Sequence, residues 1–403
     1  MDPISHAVFG YAVVTAVRWP ERGTDGTSGK QSSEIAGTVR PGEAESVNGA
    51  SRIGTAWRPG ESAVQRGVAA ASMLGALAPD VDALFMPIGW DVYLRVHEVG
   101  THSMLGTLPV ALAVAWVVRA TGAARLFSRV ATKPFATPTV LFVAAWLGAL
   151  SHLALDVVSG ARTKVAWPLL DARTHVPLVA MAEPWLAGLF VIGILTLVLA
   201  RERRRAAAIA LLTAVAAVLT VKSLWLFEAV RTLDPVDTAH VERQVIEARW
   251  ATLREWSVFR RTDATLQHIV IQPGRAPMLL ATVSTGPAGP TTAESPVVAR
   301  SRSLDTVQNF LAVHELPFAR EAANERGETD VLWSDIRFCR PAAARPDPNA
   351  GPPTWSVAMS TSDRDRLLMA CGLWFGGTYD RMGRALRQWV RVGSWLQTRP
   401  AGP

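Results

Sequence analysis

Six apolar stretches interrupt the first 230 positions, at about 4–19, 64–79, 104–118, 138–158, 183–200 and 206–227. The last three approach the ~20 residues that a helix needs to cross a bilayer's hydrocarbon core. The first three are shorter and carry Gly, Ser and His. They are expected to span with tilt, to pair with neighbours, or to enter part way. Gly10, Gly67, Gly75 and Gly106 would let such helices approach closely. Beyond 230 the pattern turns to mixed polarity. It predicts a charged helix at 236–252, strands at 266–271, 278–284, 330–339, 354–360 and 366–374, and a helix at 303–315 that ends near Pro317. The Gly-, Pro- and Thr-rich run 285–300 reads as a loop, and the Arg- and Trp-rich run 380–398 as an amphipathic helix.

The predicted fold class is therefore mostly α. A polytopic helical membrane domain, 1–230, precedes a smaller α+β extracytoplasmic domain, 231–403, which closes with the amphipathic helix. No internal repeat is visible. Residues 20–63, rich in Gly, Ser, Thr and Glu, read as a flexible cytoplasmic insertion.

Charge orients this plan. The net charge of +7 comes mostly from Arg, and the clusters flank apolar segments, as topology signals do. Loop 201–205 is Arg-Glu-Arg-Arg-Arg, and 119–137 holds Arg119, Arg125, Arg129 and Lys133 with no acid. Loop 80–103 sets Arg95 against Asp80, Asp82, Asp91 and Glu98. The positive-inside rule puts 20–63, 119–137 and 201–205 in the cytoplasm, and 80–103, 159–182 and everything after 228 outside. The start has no basic region before its apolar run, so it reads as an uncleaved segment with an outer N-terminus. Nucleic acid is not expected as a partner, because the basic residues follow the membrane pattern. Cys339 and Cys371 fit no zinc-finger spacing. Both end strand-like runs in a domain placed outside, where a disulfide would persist; two buried free thiols are the alternative.

Imidazoles and carboxylates beside apolar segments are costly and usually have a task. His152 and Asp156 are spaced i,i+4, so a helix presents both on one face. They can chelate one cation, or Asp156 can orient His152 from behind; a plain helix-bundle hydrogen bond is the bland alternative. Asp80 and Asp82 share a turn after Pro79, where carboxylates can bridge metals or simply solvate a helix end. His97 and His102 are five apart, a spacing that a regular helix would not bring together and a turn at Gly100 would; Thr101 and Ser103 could bond ligands there. His6 and Glu183 are further candidate ligands, with an interfacial His and a helix-start acid as their bland readings. With topology assigned from Arg and Lys alone, His6, Asp80, Asp82, His97, His102, His152 and Asp156 all fall at one outer face. His175, also on the outer side, reads as a plain loop residue, and His240, His268 and His314 read as structural.

Met1–Gly10 with His6, Pro79-Asp80-Val81-Asp82, Thr101-His102-Ser103 and Ser151-His152-Leu153-Ala154-Leu155-Asp156 together resemble the bacterial inner-membrane metal-dependent hydrolases of the YdjM/YfhP type. Trp167-Pro168-Leu169, Glu183-Pro184 and Ser334-Asp335-Ile336-Arg337-Phe338 add to the resemblance. That family is itself distantly similar to zinc-dependent phospholipase C. The resemblance implies a ligand order of His6, then Asp80 or Asp82, then His97 or His102, then His152 and Asp156. Glu183 stands where relatives would carry Asp.

The reading is a membrane-embedded metal-dependent hydrolase in the bacterial inner membrane. It would use one or more divalent ions, with zinc expected and manganese or iron as runners-up. Asp80 or Asp82 would be the proton acceptor. The expected partners are membrane lipids and a substrate that is a phosphoester or ester of a lipid or envelope component. Oligomeric state is left open. The rival reading is a non-catalytic membrane scaffold or transport component with a structural His/Asp cluster.

Overall fold

The computed structural model describes residues 3–17, 19, 63–97, 99–121, 136–181, 183–233, 241–262, 265–284, 295–324, 326–339, 354–355 and 371–401. Residues 20–62 of the insertion, 122–135 of loop 119–137, and His240 lie outside them.

The first half is a helix bundle: α1 (Pro3–Ala16), α2 (Ala63–Leu77), α3 (Trp90–Val96), α4 (Thr107–Thr121), α5 (Pro138–Val158), α6 (Pro184–Leu199) and α7 (Arg204–Arg231). Three helical segments are long and apolar enough to cross a membrane: Gln65–Phe85, Pro138–Val158 and Arg204–Arg231. The other three apolar helices, Pro3–Ala16, Thr107–Thr121 and Pro184–Leu199, are shorter. Two lengths differ from the sequence expectation. The segment starting near 64 runs on past Leu77 as a 3-10 helix, Ala78–Phe85, because Pro79 enters at its first turn, where no amide donor is needed. The segment at 183–200 is cut to 16 residues between Pro184 and the Arg-rich turn at Arg201–Arg203.

The central helix is α5. Its buried residues include Ala144, Ala145, Gly148, Ala149, Ser151, His152 and Asp156. Small residues permit this. A side-chain carbon on Gly148 would strike the Ser72 carbonyl of α2, and one on Gly75 would strike the Ala145 backbone of α5. Gly10 lies against Ala76 and Ser151, and its carbonyl accepts a 2.9 Å bond from Ser72 Oγ. Close contact of α1, α2 and α5 follows, as predicted for Gly10 and Gly75.

The second half is built on two five-stranded sheets. The first has the order β1 (Val241–Ala248), β2 (Trp256–Thr262), β3 (Thr265–Ile271), β4 (Met278–Ser284), β7 (Thr354–Trp355). The second has the order β10 (Trp395–Pro400), β9 (Ala385–Val392), β8 (Leu373–Tyr379), β6 (Thr329–Asp335), β5 (Pro317–Ala323). Pairing is antiparallel except between β4 and β7. The sheets face each other across Val245, Phe259 and Leu266 on one side and Phe318, Leu332, Trp374 and Trp389 on the other. The short helices α8 (Pro296–Ser301) and α9 (Asp305–Leu311) cover the outer face of the second sheet.

These sheets correct the sequence reading in four places. The described residues are about half helical, because strands dominate the second half. Residues 241–248 form an edge strand rather than part of a charged helix; the alternation of Glu242, Gln244 and their neighbours suits the open side of a sheet. The expected C-terminal amphipathic helix at 380–398 is the β9–β10 hairpin, turned at Gly393, whose φ of 57° suits glycine. Within 285–300, Ser295 caps α8, and 285–294 lie outside the described residues.

Cys339 and Cys371 are disulfide-bonded, with Cα atoms 3.9 Å apart. The Ser334–Phe338 segment ties the two sheets together. Arg337 grips both oxygens of Asp335 at 2.9 Å and reaches Glu247 of β1 at 3.2 Å. Burial alone would raise the Asp335 carboxyl pKa, but the Arg337 charge holds it below its usual range.

Candidate metal centre

Each cluster residue sits where a helix of the bundle begins or ends. His6 is in the first turns of α1. Asp80 and Asp82 are on the 3-10 helix that follows α2. His97 closes α3. His102 lies in the turn before α4, and His152 and Asp156 are in the last turns of α5. Helices that alternate in direction bring these ends together, so the seven residues meet at one end of the bundle. Among the described residues, three groups can hold a metal ion: His6, His152 and Asp156; Asp80, His102 and His152; Asp82, His97 and His102.

The heart of the cluster is a triangle of donor atoms. His152 Nε2 lies 3.0 Å from Asp156 Oδ2 and 3.1 Å from His102 Nε2, and the third side, His102 Nε2 to Asp156 Oδ2, is 3.5 Å. Asp80 Oδ1 stands 3.4 Å from His102 Nε2 and 3.6 Å from His152 Nε2. Ligands bound at 2.0–2.1 Å around a tetrahedral ion are separated by about 3.3 Å, so these spacings fit such an ion. On the far side of Asp156, Oδ1 is 3.3 Å from His6 Nε2. The His6 and His152 rings stack with centroids 3.8 Å apart.

Hydrogen bonds behind the rings set their tautomers. His152 Nδ1 donates to the Ala76 carbonyl at 2.7 Å, which leaves Nε2 with a lone pair. His102 Nδ1 faces Asp82 Oδ2 at 3.5 Å and Thr101 Oγ1 at 3.1 Å, which likewise frees its Nε2 as an acceptor. Two lone pairs then face one another across 3.1 Å in a fully buried space. A shared cation relieves that arrangement; so would a proton on one ring. The donor set, imidazole with carboxylate, is one that can hold a divalent metal ion.

Asp82 belongs to the support rather than to the triangle. Both its oxygens lie 3.0 Å from His97 Nδ1, and Oδ2 also accepts from Thr101 Oγ1 at 3.4 Å. The turn expected at Gly100 is present: its carbonyl accepts from Ser103 N and Oγ, and the His97 and His102 rings come to 5.0 Å. Ser103 is spent on that turn. Asp80, with a side chain 35% exposed, and His97, at 20%, are the cluster residues open to solvent.

Glu183 is not brought to the cluster. It is buried beside Lys222 of α7, with Nζ and Oε2 3.6 Å apart, and Oε2 accepts from Ala180 N at 3.4 Å. Glu183 stands at the start of α6, just before Pro184. Lys222 was missed from the sequence. Its signal was there, as a lone Lys in a 28-residue apolar helix, which calls for a partner. The remaining described histidines are structural. Burial lowers His314 to about 3, and His175 and His268 to about 4, so all three are neutral near pH 7.

An apolar helix bundle with a buried His/Asp cluster at one end defines a membrane protein with a metal-ligand type of site. Residues 46–226 match the family model described as YdjM inner membrane protein, so the resemblance holds over the segment that carries Asp80, Asp82, His97, His102, His152 and Asp156. His6 and both sheets lie outside the matched stretch. No curated protein and no solved structure matches this chain.

Proposed function

We propose that this protein is a metal-dependent hydrolase set in the bacterial inner membrane, acting on a phosphoester or ester of a lipid or envelope component. The observation that carries the reading is the buried pair of facing His102 and His152 Nε2 atoms, bracketed by Asp156 and Asp80. A bound divalent cation supplies Lewis-acid polarisation of an ester or phosphoryl oxygen and activates water near neutral pH. His102, His152 and Asp156 would hold the cation, with His6 on the far side of Asp156, and zinc is the best fit. Asp80, with about a third of its side chain open to solvent, would accept the proton of the attacking water, while Asp82 holds His97 and His102 in place. Val81, Leu84, Met104 and Leu105, all exposed, flank Asp80 and His102 with apolar surface suited to a lipid substrate.

The test is metal analysis of the purified full chain in detergent, together with hydrolysis of bis(p-nitrophenyl) phosphate. At least one divalent ion per chain is expected, lost in His152→Ala together with the hydrolysis. Protein that folds and functions without any ion would leave the scaffold reading in its place.

The same proposal places the sheet domain outside the cell membrane, with six crossings. The sheet domain grips the bundle at its cluster end: Trp256 Nε1 donates to Pro177 O at 2.8 Å, and Arg162 pairs with Glu315. The Arg-rich turn at Arg201–Arg203 sits at the opposite end, between α6 and α7. Reporter fusions after Arg204 and after Ala299 should therefore give opposite answers, cytoplasmic and external. The same answer from both would remove the crossing by α7.

A further inference from the structure

We infer that Arg399 and Asn309 of the sheet domain are positioning residues of the metal centre, acting through Asp91 on α3. The inference rests on the metal reading of the cluster. It adds that the centre is completed only when the sheet domain is docked.

The argument begins with α3. This seven-residue helix lies between Asp82 and His97, so its placement decides where His97 points. Its residues meet both the sheet domain and the cluster. Trp90 and Leu94 pack on the outer core of the second sheet, with Asp91 and Arg95 beside them. Next to them Tyr93, whose ring centroid is 5.3 Å from that of Trp90, stacks on His97 with ring centroids 4.6 Å apart. The rings of Trp90, Tyr93 and His97 thus run in contact from the sheet domain to the cluster.

Asp91 is the fastening point. It is fully buried, and a buried carboxylate is costly unless paired and hydrogen-bonded. Both kinds of partner come from the sheet domain. Asn309 Nδ2 donates to Asp91 Oδ2 at 2.8 Å, and the Arg399 guanidinium pairs with Asp91 Oδ1. Arg399 is itself braced by Thr306 Oγ1 at 3.1 Å, and Arg95 Nη1 donates to Asn309 Oδ1 at 2.8 Å. Gly89 makes room: a side chain there would come within 3.1 Å of the Arg399 guanidinium. The backbone joins in, as Trp90 N donates to Gln397 Oε1 at 3.3 Å. The expense of burying Asp91 alone ensures that α3 takes this position only against the docked domain. From α3 the constraint passes to His97, to Asp82 at 3.0 Å, and on to His102. By contrast His152 and Asp156 stand on α5, which the bundle fixes by itself. The structure thus divides the cluster into a half set by the bundle and a half set by domain docking.

The test uses the full chain in detergent with Co²⁺ as the probe, whose visible absorption reports coordination. Hydrogen exchange is measured on peptides from 90–97 and 138–158. Arg399→Met is expected to weaken Co²⁺ binding about 10-fold, within the range for partners behind metal ligands, and to shift the spectrum. Exchange should quicken in 90–97 and stay unchanged in 138–158. Arg399→Lys, which keeps the charge, should restore most of the affinity. Asn309→Ala is the milder second variant, and should show the same changes with smaller amplitude if Arg399→Met does not fold. Faster exchange in 90–97 with wild-type affinity and spectrum would overturn the inference and make the clamp a matter of stability alone. His152→Ala separates the two readings. If that variant loses Co²⁺ while Arg399→Met keeps it, only the positioning role falls. If wild-type protein binds no Co²⁺, both fall.

Discussion

Asp156→Asn should lower metal affinity by at least 10–100-fold, the range seen when support of a metal ligand is lost, with helical content unchanged. The expectation follows from what the carboxylate faces. Oδ2 lies 3.0 Å from His152 Nε2 and 3.5 Å from His102 Nε2, and Oδ1 lies 3.3 Å from His6 Nε2. One anion thus gathers three imidazoles, from α1, from the turn before α4 and from α5. Asn keeps the size but replaces one oxygen with an NH₂ group. That group must point hydrogens either at His6 or at the lone pairs of the triangle, and the negative charge is gone. The measurement is competition with a graded chelator, read by metal content, beside far-UV circular dichroism. His314→Ala, in the sheet domain, should leave metal content untouched. Full retention of metal by Asp156→Asn, with loss in His314→Ala, would place the site in the other half of the chain.

The reason this site could be read from sequence is economic in residues rather than rich in motifs. His6, Asp80, His102, His152 and Asp156 stand at the ends of apolar runs, where a polar group without a partner is costly. Helix alternation then forces such ends together. The i,i+4 pair was fully legible, because helix geometry alone joins His152 to Asp156. The tautomers were not, since they depend on the Ala76 carbonyl and on Asp82, contacts 76 and 20 positions away in sequence. Glu183 was misjudged for a related reason. Its partner, Lys222, is on another helix, and position beside the other candidates outweighed the demand of a buried Lys for a carboxylate.

The sheet domain was legible in kind and blurred in detail. Strands such as β3 and β4 carry apolar runs bounded by turn residues, and these were placed within a residue or so. The β9–β10 hairpin reads as a helix in sequence because both of its faces carry mixed residues. Arg387, Trp389 and Arg391 share one face, and Leu386, Gln388 and Val390 the other. Such a strand lacks clean alternation. Its Gly393 turn, with positive φ, was the clue passed over. Asp91 had no legible signal at all. Its partners, Asn309 and Arg399, are 218 and 308 positions distant, and only domain docking brings them to it.

Gly148→Leu should be among the most destabilising single changes in this protein, by about 4 kcal/mol or more, where most substitutions cost 0.5–3. The cause is the contact of α2 and α5 at backbone distance. A side-chain carbon at 148 would meet the Ser72 carbonyl and the Ala76 amide of α2, neither of which can turn aside as a flexible side chain would. Small residues at such crossings are what allow membrane helices to gain packing without a hydrophobic drive between them. Leu would push α2 outward. That movement would carry the Ala76 carbonyl away from His152 Nδ1, now 2.7 Å apart, and Ser72 Oγ away from the Gly10 carbonyl, now at 2.9 Å. Helix separation and disturbance of the metal centre would therefore come together. Gly188→Leu is the matched control, because a side chain at 188 on α6 meets nothing within 4 Å. Thermal unfolding in detergent, followed by tryptophan fluorescence, should show a large fall in midpoint for Gly148→Leu and almost none for Gly188→Leu. Equal midpoints would mean that α2 and α5 do not pack at backbone distance, and that the Ala76 carbonyl does not hold the His152 ring.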